Sequence, residues 1–189
     1  VLRPLIVVRH VPLHAFAATN ARLHGWATVA RALGPLVVGG TAAHAGWVGA
    51  WTLVAGGLAL AAGIPLALAC PDFEFVLLDS NAKKTRFITQ AVNELGLTNV
   101  GVARARAEDY RPARPFDTVI SRAFASLAEM LEMTQHLGAP HGVFVAMKGN
   151  YPEDELAAVP PSFRVDGVEP VQVPELNAQR HVVLIRRAG

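Results

Sequence analysis

Acidic side chains are missing from the first third of this chain. Residues 1–71 contain four arginines (Arg3, Arg9, Arg22 and Arg31) and no Asp or Glu, and the first carboxylate is Asp72. The remaining 118 residues hold 13 basic and 15 acidic groups, so one part of the chain is basic and the other slightly acidic. Such an asymmetry calls for an explanation. Cysteine is nearly absent as well. Cys70 alone excludes a disulfide framework and a four-cysteine zinc site, and it fits a reducing, intracellular setting. Charged residues are scarce at 17% and hydrophobic ones plentiful at 52% of 189 residues, which rules out a disordered chain. That length buries a core without staples and suits one domain with at most a short appendage.

The acid-poor third is dominated by Gly, Ala, Val and Leu. Its four histidines (His10, His14, His24 and His44) have no Asp, Glu or Cys near them in sequence, and their spacing matches no ligand motif. No metal is expected. The apolar run 48–70 has the length of a bilayer span, roughly 20 residues. Gly56, Gly57, Gly63 and Pro65 interrupt it, and it relies on alanine, which drives insertion weakly. A buried strand–turn–helix is therefore the preferred reading over a membrane segment. The run lies too far along the chain for a secretory signal.

From residue 72 the pattern becomes regular. PDFEFVLLDS reads as a strand ending at Asp79. A helix follows over 80–95, capped by Ser80 or Asn81, with Phe87, Ile88, Ala91, Val92 and Leu95 at helical spacing and Gly96 as its stop. TNVGVARARAED predicts a strand running to Glu108–Asp109. FDTVISRAF predicts another, leading into the helix SLAEMLEMTQHL. GAPHG reads as a turn, VFVAMKG as a strand, and the chain closes with two more strands. Alternating strands and helices predict a parallel sheet covered on both faces, with an antiparallel final pair at its edge. The division expected is an ill-defined segment over 1–47 and a Rossmann-like α/β domain over 48–189.

In such sheets ligands bind beyond the carboxyl ends of the strands, where Asp79, Glu108 and Arg122 are all expected. A carboxylate closing the second strand accepts two hydrogen bonds from a ribose hydroxyl pair. Enzymes that use NAD share this signal with those that use S-adenosylmethionine; the secondary reading of Asp79 is a cap for the helix N-terminus. Glu108 suits an adenine amino group or a solvated loop. Lys83, Lys84 and Arg86 follow Asp79 on one helix, where they suit RNA phosphates or a solvated face.

The segments LLDSNAKKTRF, ARAEDY, FDTVISRAFASL, MKG, PEDEL and QRHVVLI together resemble the glucose-inhibited division protein B family, the small-subunit ribosomal RNA methyltransferases G. The resemblance covers about residues 63–187. It implies a class I S-adenosylmethionine-dependent methyltransferase fold and methylation of N7 of guanine 527 in 16S ribosomal RNA, free or within a small-subunit assembly intermediate, in the cytoplasm. Carried onto this chain, it places Gly56, Ala61, Asp79, Ala107, Glu108 and Arg122 at the cofactor, and Lys148 and Arg180 with the RNA-facing cations. Guanine N7 already carries a lone pair, so no general base is needed, and Arg122 reads as an orienting or phosphate-binding group or as a structural ion-pair partner.

The glycine loop departs from the family. Where the pattern is DVGSGAGLPGIPLA, this chain has VAGGLALAAGIPLA: the acid becomes Val54, two glycines become Leu58 and Leu60, and the proline becomes Ala62. Glycines there let the backbone approach the cofactor. Two further readings stay open beside the methyltransferase: a non-catalytic RNA- or ribosome-binding relative with a degenerate loop, and a nicotinamide-dependent oxidoreductase. The missing G-x-G-x-x-G at 56–61 opposes the second.

Overall fold

The computed structural model describes residues 5–9, 63–122, 124, 126–171 and 179–188. In chain order these form β1 (Leu5–Arg9), α1 (Gly63–Ala69), β2 (Glu74–Leu78), α2 (Ala82–Glu94), β3 (Val100–Ala103), β4 (Phe116–Arg122), α3 (Leu127–Thr134), a 3-10 turn (Gln135–Leu137), β5 (Gly138–Lys148), α4 (Glu153–Ala157), β6 (Phe163–Pro170) and β7 (His181–Arg187). The strands make one seven-stranded sheet in the order β3-β2-β1-β4-β5-β7-β6. β2 with β3 and β4 with β5 are parallel, and β7 is antiparallel to β5 and β6, as the closing strand pair predicts.

The interior of the sheet is the unexpected part. No element is predicted at residues 5–9, yet LIVVR is an interior strand, third of the seven, antiparallel to both neighbours, with Leu5 between Leu78 and Ser121. Its side chains alternate between two cores. Leu5 and Val7 join Leu127, Met130 and Leu131 of α3 on one face. Ile6 and Val8 join Leu66 and Ala67 of α1 and Ile88 and Val92 of α2 on the other. All four are 0–4% exposed, and burial of each is worth about 1.5–3 kcal/mol.

Local chemistry accounts for α2. The Asn81 side chain accepts from the Lys83 and Lys84 amides at 2.9 and 3.3 Å, as an N-cap should. Gly96 ends the helix at φ +63°, and the Leu97 amide donates back to Val92 O at 3.0 Å. Ser126 caps α3 in the same manner, accepting from the Glu129 amide.

Two boundaries differ from expectation. β3 stops at Ala103 instead of reaching Glu108, because Asp109 and Tyr110 both donate to Arg106 O, at 3.2 and 3.1 Å, closing a turn. GAPHG is not a turn but the first part of β5. Phe116 pairs with Gly138 and Thr118 with Val143, so an advance of two residues on β4 is matched by five on β5. The surplus folds into a bulge. Gly142 sits in its tightest place, where a Cβ would come within 3.1 Å of Phe116 O and of the Ala139 backbone.

Candidate active site

β2, β3, β4 and β5 all run the same way, since β2 and β4 are both antiparallel to β1. Their carboxyl ends therefore share one edge of the sheet. Asp79 follows β2, the 104–109 turn follows β3, Arg122 ends β4 and Lys148 ends β5. β7 runs oppositely, so its first residue, His181, pairs with Lys148 and brings Arg180 to the same edge. Asp79, Ala107, Glu108, Arg122, Lys148 and Arg180 thus gather along one rim.

Asp79 is 1% exposed. Its Oδ1 accepts the Asn81 amide at 2.7 Å. Among the described residues its Oδ2 is buried without a hydrogen-bond partner, with Lys84 Nζ at 3.6 Å. A buried carboxylate oxygen left in this state is incompletely satisfied, and a hydroxyl donor would complete it. Ala107 is buried against the α3 side of the core. Glu108 is half-exposed, with Arg106 Nη1 at 3.5 Å, and its carbonyl accepts from Arg111. Arg122 is exposed and pairs across the sheet with Met147.

The cations separate into two kinds. Lys83 and Arg86 are exposed on α2, and Arg86 lines an open groove of about 490 Å³ with Thr89, Asn93 and Arg104. Lys84 and Lys148 are engaged internally. Lys148 Nζ lies 2.6 Å from Glu155 Oε2 and 3.4 Å from Phe124 O, with its side chain 12% exposed. The same Glu155 oxygen accepts the Leu127 amide at 2.8 Å. Glu155 thereby ties the end of β5 to the first turn of α3. Neither Arg104 nor Glu155 is singled out by sequence reasoning. Arg104 is one of several arginines in ARARAED, and an inward-facing acid in PEDEL cannot be told from its exposed neighbours without the fold.

The reversed β1 changes what the edge receives. Its amino end, Leu5, stands at the Asp79 side. Arg9 leaves at the far side, where Nη1 meets Glu74 at 3.2 Å and the guanidinium lies 5.0 Å from the Phe116 ring centre. β1 therefore ends away from the rim. α1 runs from Gly63, against Leu77 and Ile6, to a last turn beside Asn99. A Cβ on Gly63 would clash with the Leu77 side chain. At the other end of α1 the Asn99 side chain donates from Nδ2 to Ala67 O at 3.0 Å and Cys70 O at 3.3 Å, by the amino end of β3. Gly56 and Ala61, like Val54, Leu58, Leu60 and the four early histidines, lie outside the described residues.

A sequence profile of the rRNA small subunit methyltransferase G family matches residues 59–183. The chain belongs to the rRNA small subunit methyltransferase G family. Among its relatives, the methyltransferase G of Nitrosococcus oceani is 56% identical over 129 residues, 67% of this chain and 60% of that protein. The methyltransferase G of Idiomarina loihiensis is 52% identical over 125 residues, 66% of this chain and 61% of that protein. The chain thus spans about three fifths of the length of these relatives. Solved structures that resemble it include a precorrin-6y C5,15-methyltransferase from Geobacter metallireducens, at 14% identity and TM-score 0.48 over 66% of this chain and 72% of that one. A second is an S-adenosylmethionine-dependent methyltransferase from Clostridium acetobutylicum, at 9% identity and TM-score 0.48 over 59% and 74%. The methyltransferase G match opens just before α1 and ends within β7. It holds every described element of the rim. β1, antiparallel to both β2 and β4, lies outside it.

Proposed function

We propose that this protein is an S-adenosylmethionine-dependent methyltransferase that modifies N7 of guanine 527 in 16S ribosomal RNA, free or within a small-subunit assembly intermediate, in the cytoplasm. The family match over residues 59–183 carries this reading. The orphan Oδ2 of Asp79 supports it, because a ribose hydroxyl pair supplies the donor that this oxygen lacks. Asp79 holds the ribose, Ala107 and Glu108 border the adenine, and Arg122 orients the reacting partners. The cofactor, when bound, supplies an electrophilic methyl group.

The chain's own residues bind and orient. The acceptor nitrogen needs no deprotonation, so no side chain is assigned as general base. Holding two reactants in line is worth up to roughly 7–11 kcal/mol in favourable cases. Lys83, Arg86 and Arg180 contact RNA phosphates by counterion release. Lys84 and Lys148 act differently, by setting the Asp79 carboxylate and the start of α3.

The test is to incubate the folded protein with S-adenosylmethionine and 16S RNA or small subunits lacking the mark, then read the guanine by mass spectrometry of nuclease fragments. A methyl group at that guanine is expected. Calorimetry on the same sample separates the failures. Cofactor binding without methylation overturns the RNA substrate. A well-folded protein that binds RNA but not cofactor is a non-catalytic relative.

A further inference from the structure

We propose that Tyr151, seated on His181 beside Arg180, is a stacking platform for an unpaired nucleotide of the bound RNA. The inference rests on the rRNA reading above and adds a position at which the RNA is gripped. Tyr151 is 54% exposed, one of two large hydrophobic side chains so exposed among the described residues. Its ring meets His181 at a centroid distance of 5.6 Å and an interplanar angle of 88°. In a perpendicular pair His181 covers at most one face of the tyrosine, and the ring's exposure leaves room for a base on the other.

The ring's support is fixed. His181 Nδ1 lies 2.9 Å from Gly149 O, and His181 itself is locked in register with Lys148. Arg180 donates from Nη1 to Gln179 O at 2.7 Å, and that nitrogen lies 3.9 Å from where a Gly149 Cβ would stand. Its guanidinium is thus beside the same loop and has no carboxylate partner among the described residues. An open aromatic face next to a guanidinium is what single-stranded RNA recognition uses, because every base offers a π face. Glu153 and Asp154 open α4 two residues on. Those acids oppose a purely phosphate-driven contact here and leave the ring face as the attraction. The platform stands on the rim that carries Arg122 and Lys148, within the RNA path that the proposed reaction requires.

The experiment measures binding of the full-length protein to a short unstructured RNA and to a fully paired RNA duplex, at salt between about 50 and 200 mM. Tyr151→Ala should weaken single-strand binding about 10-fold, the range for one stacked base being roughly 5- to 150-fold. It should leave duplex binding and the salt slope unchanged. Tyr151→Phe and Tyr151→Trp should stay near wild type. Arg180→Ala should lower the salt slope by about 0.7, the value for one phosphate on a single strand. Unchanged single-strand affinity in Tyr151→Ala, or an equal loss on duplex, overturns the platform while the rRNA reading stands. Wild-type protein that binds neither RNA overturns both.

Discussion

Asp79 and Glu155 are the two acids on which the rim depends, and they are held in opposite ways. Asp79 keeps one oxygen unsatisfied; Glu155 spends one oxygen twice, on Lys148 and on the Leu127 amide. Asp79→Asn keeps the shape but loses the charge-assisted acceptor, a loss of about 1.5–3 kcal/mol. Calorimetry should therefore show S-adenosylmethionine binding weakened by roughly 10- to 100-fold, with the urea midpoint little changed. Lys148→Met and Glu155→Gln act on the fold instead. Fully buried pairs lose about 3–5 kcal/mol when one partner is removed. This pair is partly solvated, with side chains 12% and 27% exposed, so a loss of about 1–3 kcal/mol in urea denaturation is expected. The double variant should lose less than the sum of the two single ones.

At the level of elements, α2 is the piece most plainly written in the local sequence. The carboxylate before it, the Asn81 cap, the apolar spacing and the Gly96 stop all fall within about eighteen residues and act on one another directly. Asn81→Ala should cost about 1 kcal/mol, seen as a melting temperature lower by about 2–4 °C for a chain of this size. Elements that depend on a distant partner are less legible in the local sequence. The GAPHG segment looks like a turn because Gly and Pro mark turns, but its pairing with β4 draws it into the sheet as a bulge. β3 looks longer than it is, since Ala and Arg alternate through 103–107 whether or not a strand continues. The Arg106 carbonyl decides the matter by accepting two amides.

For the whole molecule the decisive strand is β1. It joins β3-β2 to β4-β5-β7-β6, and with its amides unpaired the sheet would fall into two parts with four open strand edges in place of two. Val7→Asp places a carboxylate at a position 0% exposed in the middle of that junction. It should abolish the cooperative thermal transition. Hydrogen exchange offers the gentler check: amides of residues 5–9 should be protected as strongly as those of β4, because both open only when the whole sheet does. Rapid exchange at 5–9 would show that another arrangement fills that place.

The amino-acid sequence alone determined the α/β class, the strand–helix order from β2 to α3, the antiparallel closing pair and the convergence of Asp79, Glu108 and Arg122 on one edge, but not the bulged start of β5 or the short α4. Each follows from local periodicity, caps and the rule that parallel strands share their carboxyl ends. Tertiary structure alone decided which segment fills the slot between β2 and β4 and which way it runs. LIVVR is a short apolar run whose pattern is as acceptable in one direction as the other, so only hydrogen bonding to Leu78 and Ser121 chooses. Tertiary structure also decided which cations are spent on internal partners, as Lys84 and Lys148 are, and which ring is left uncovered, as Tyr151 is. Those outcomes depend on neighbours far along the chain, which spacing within a segment does not encode.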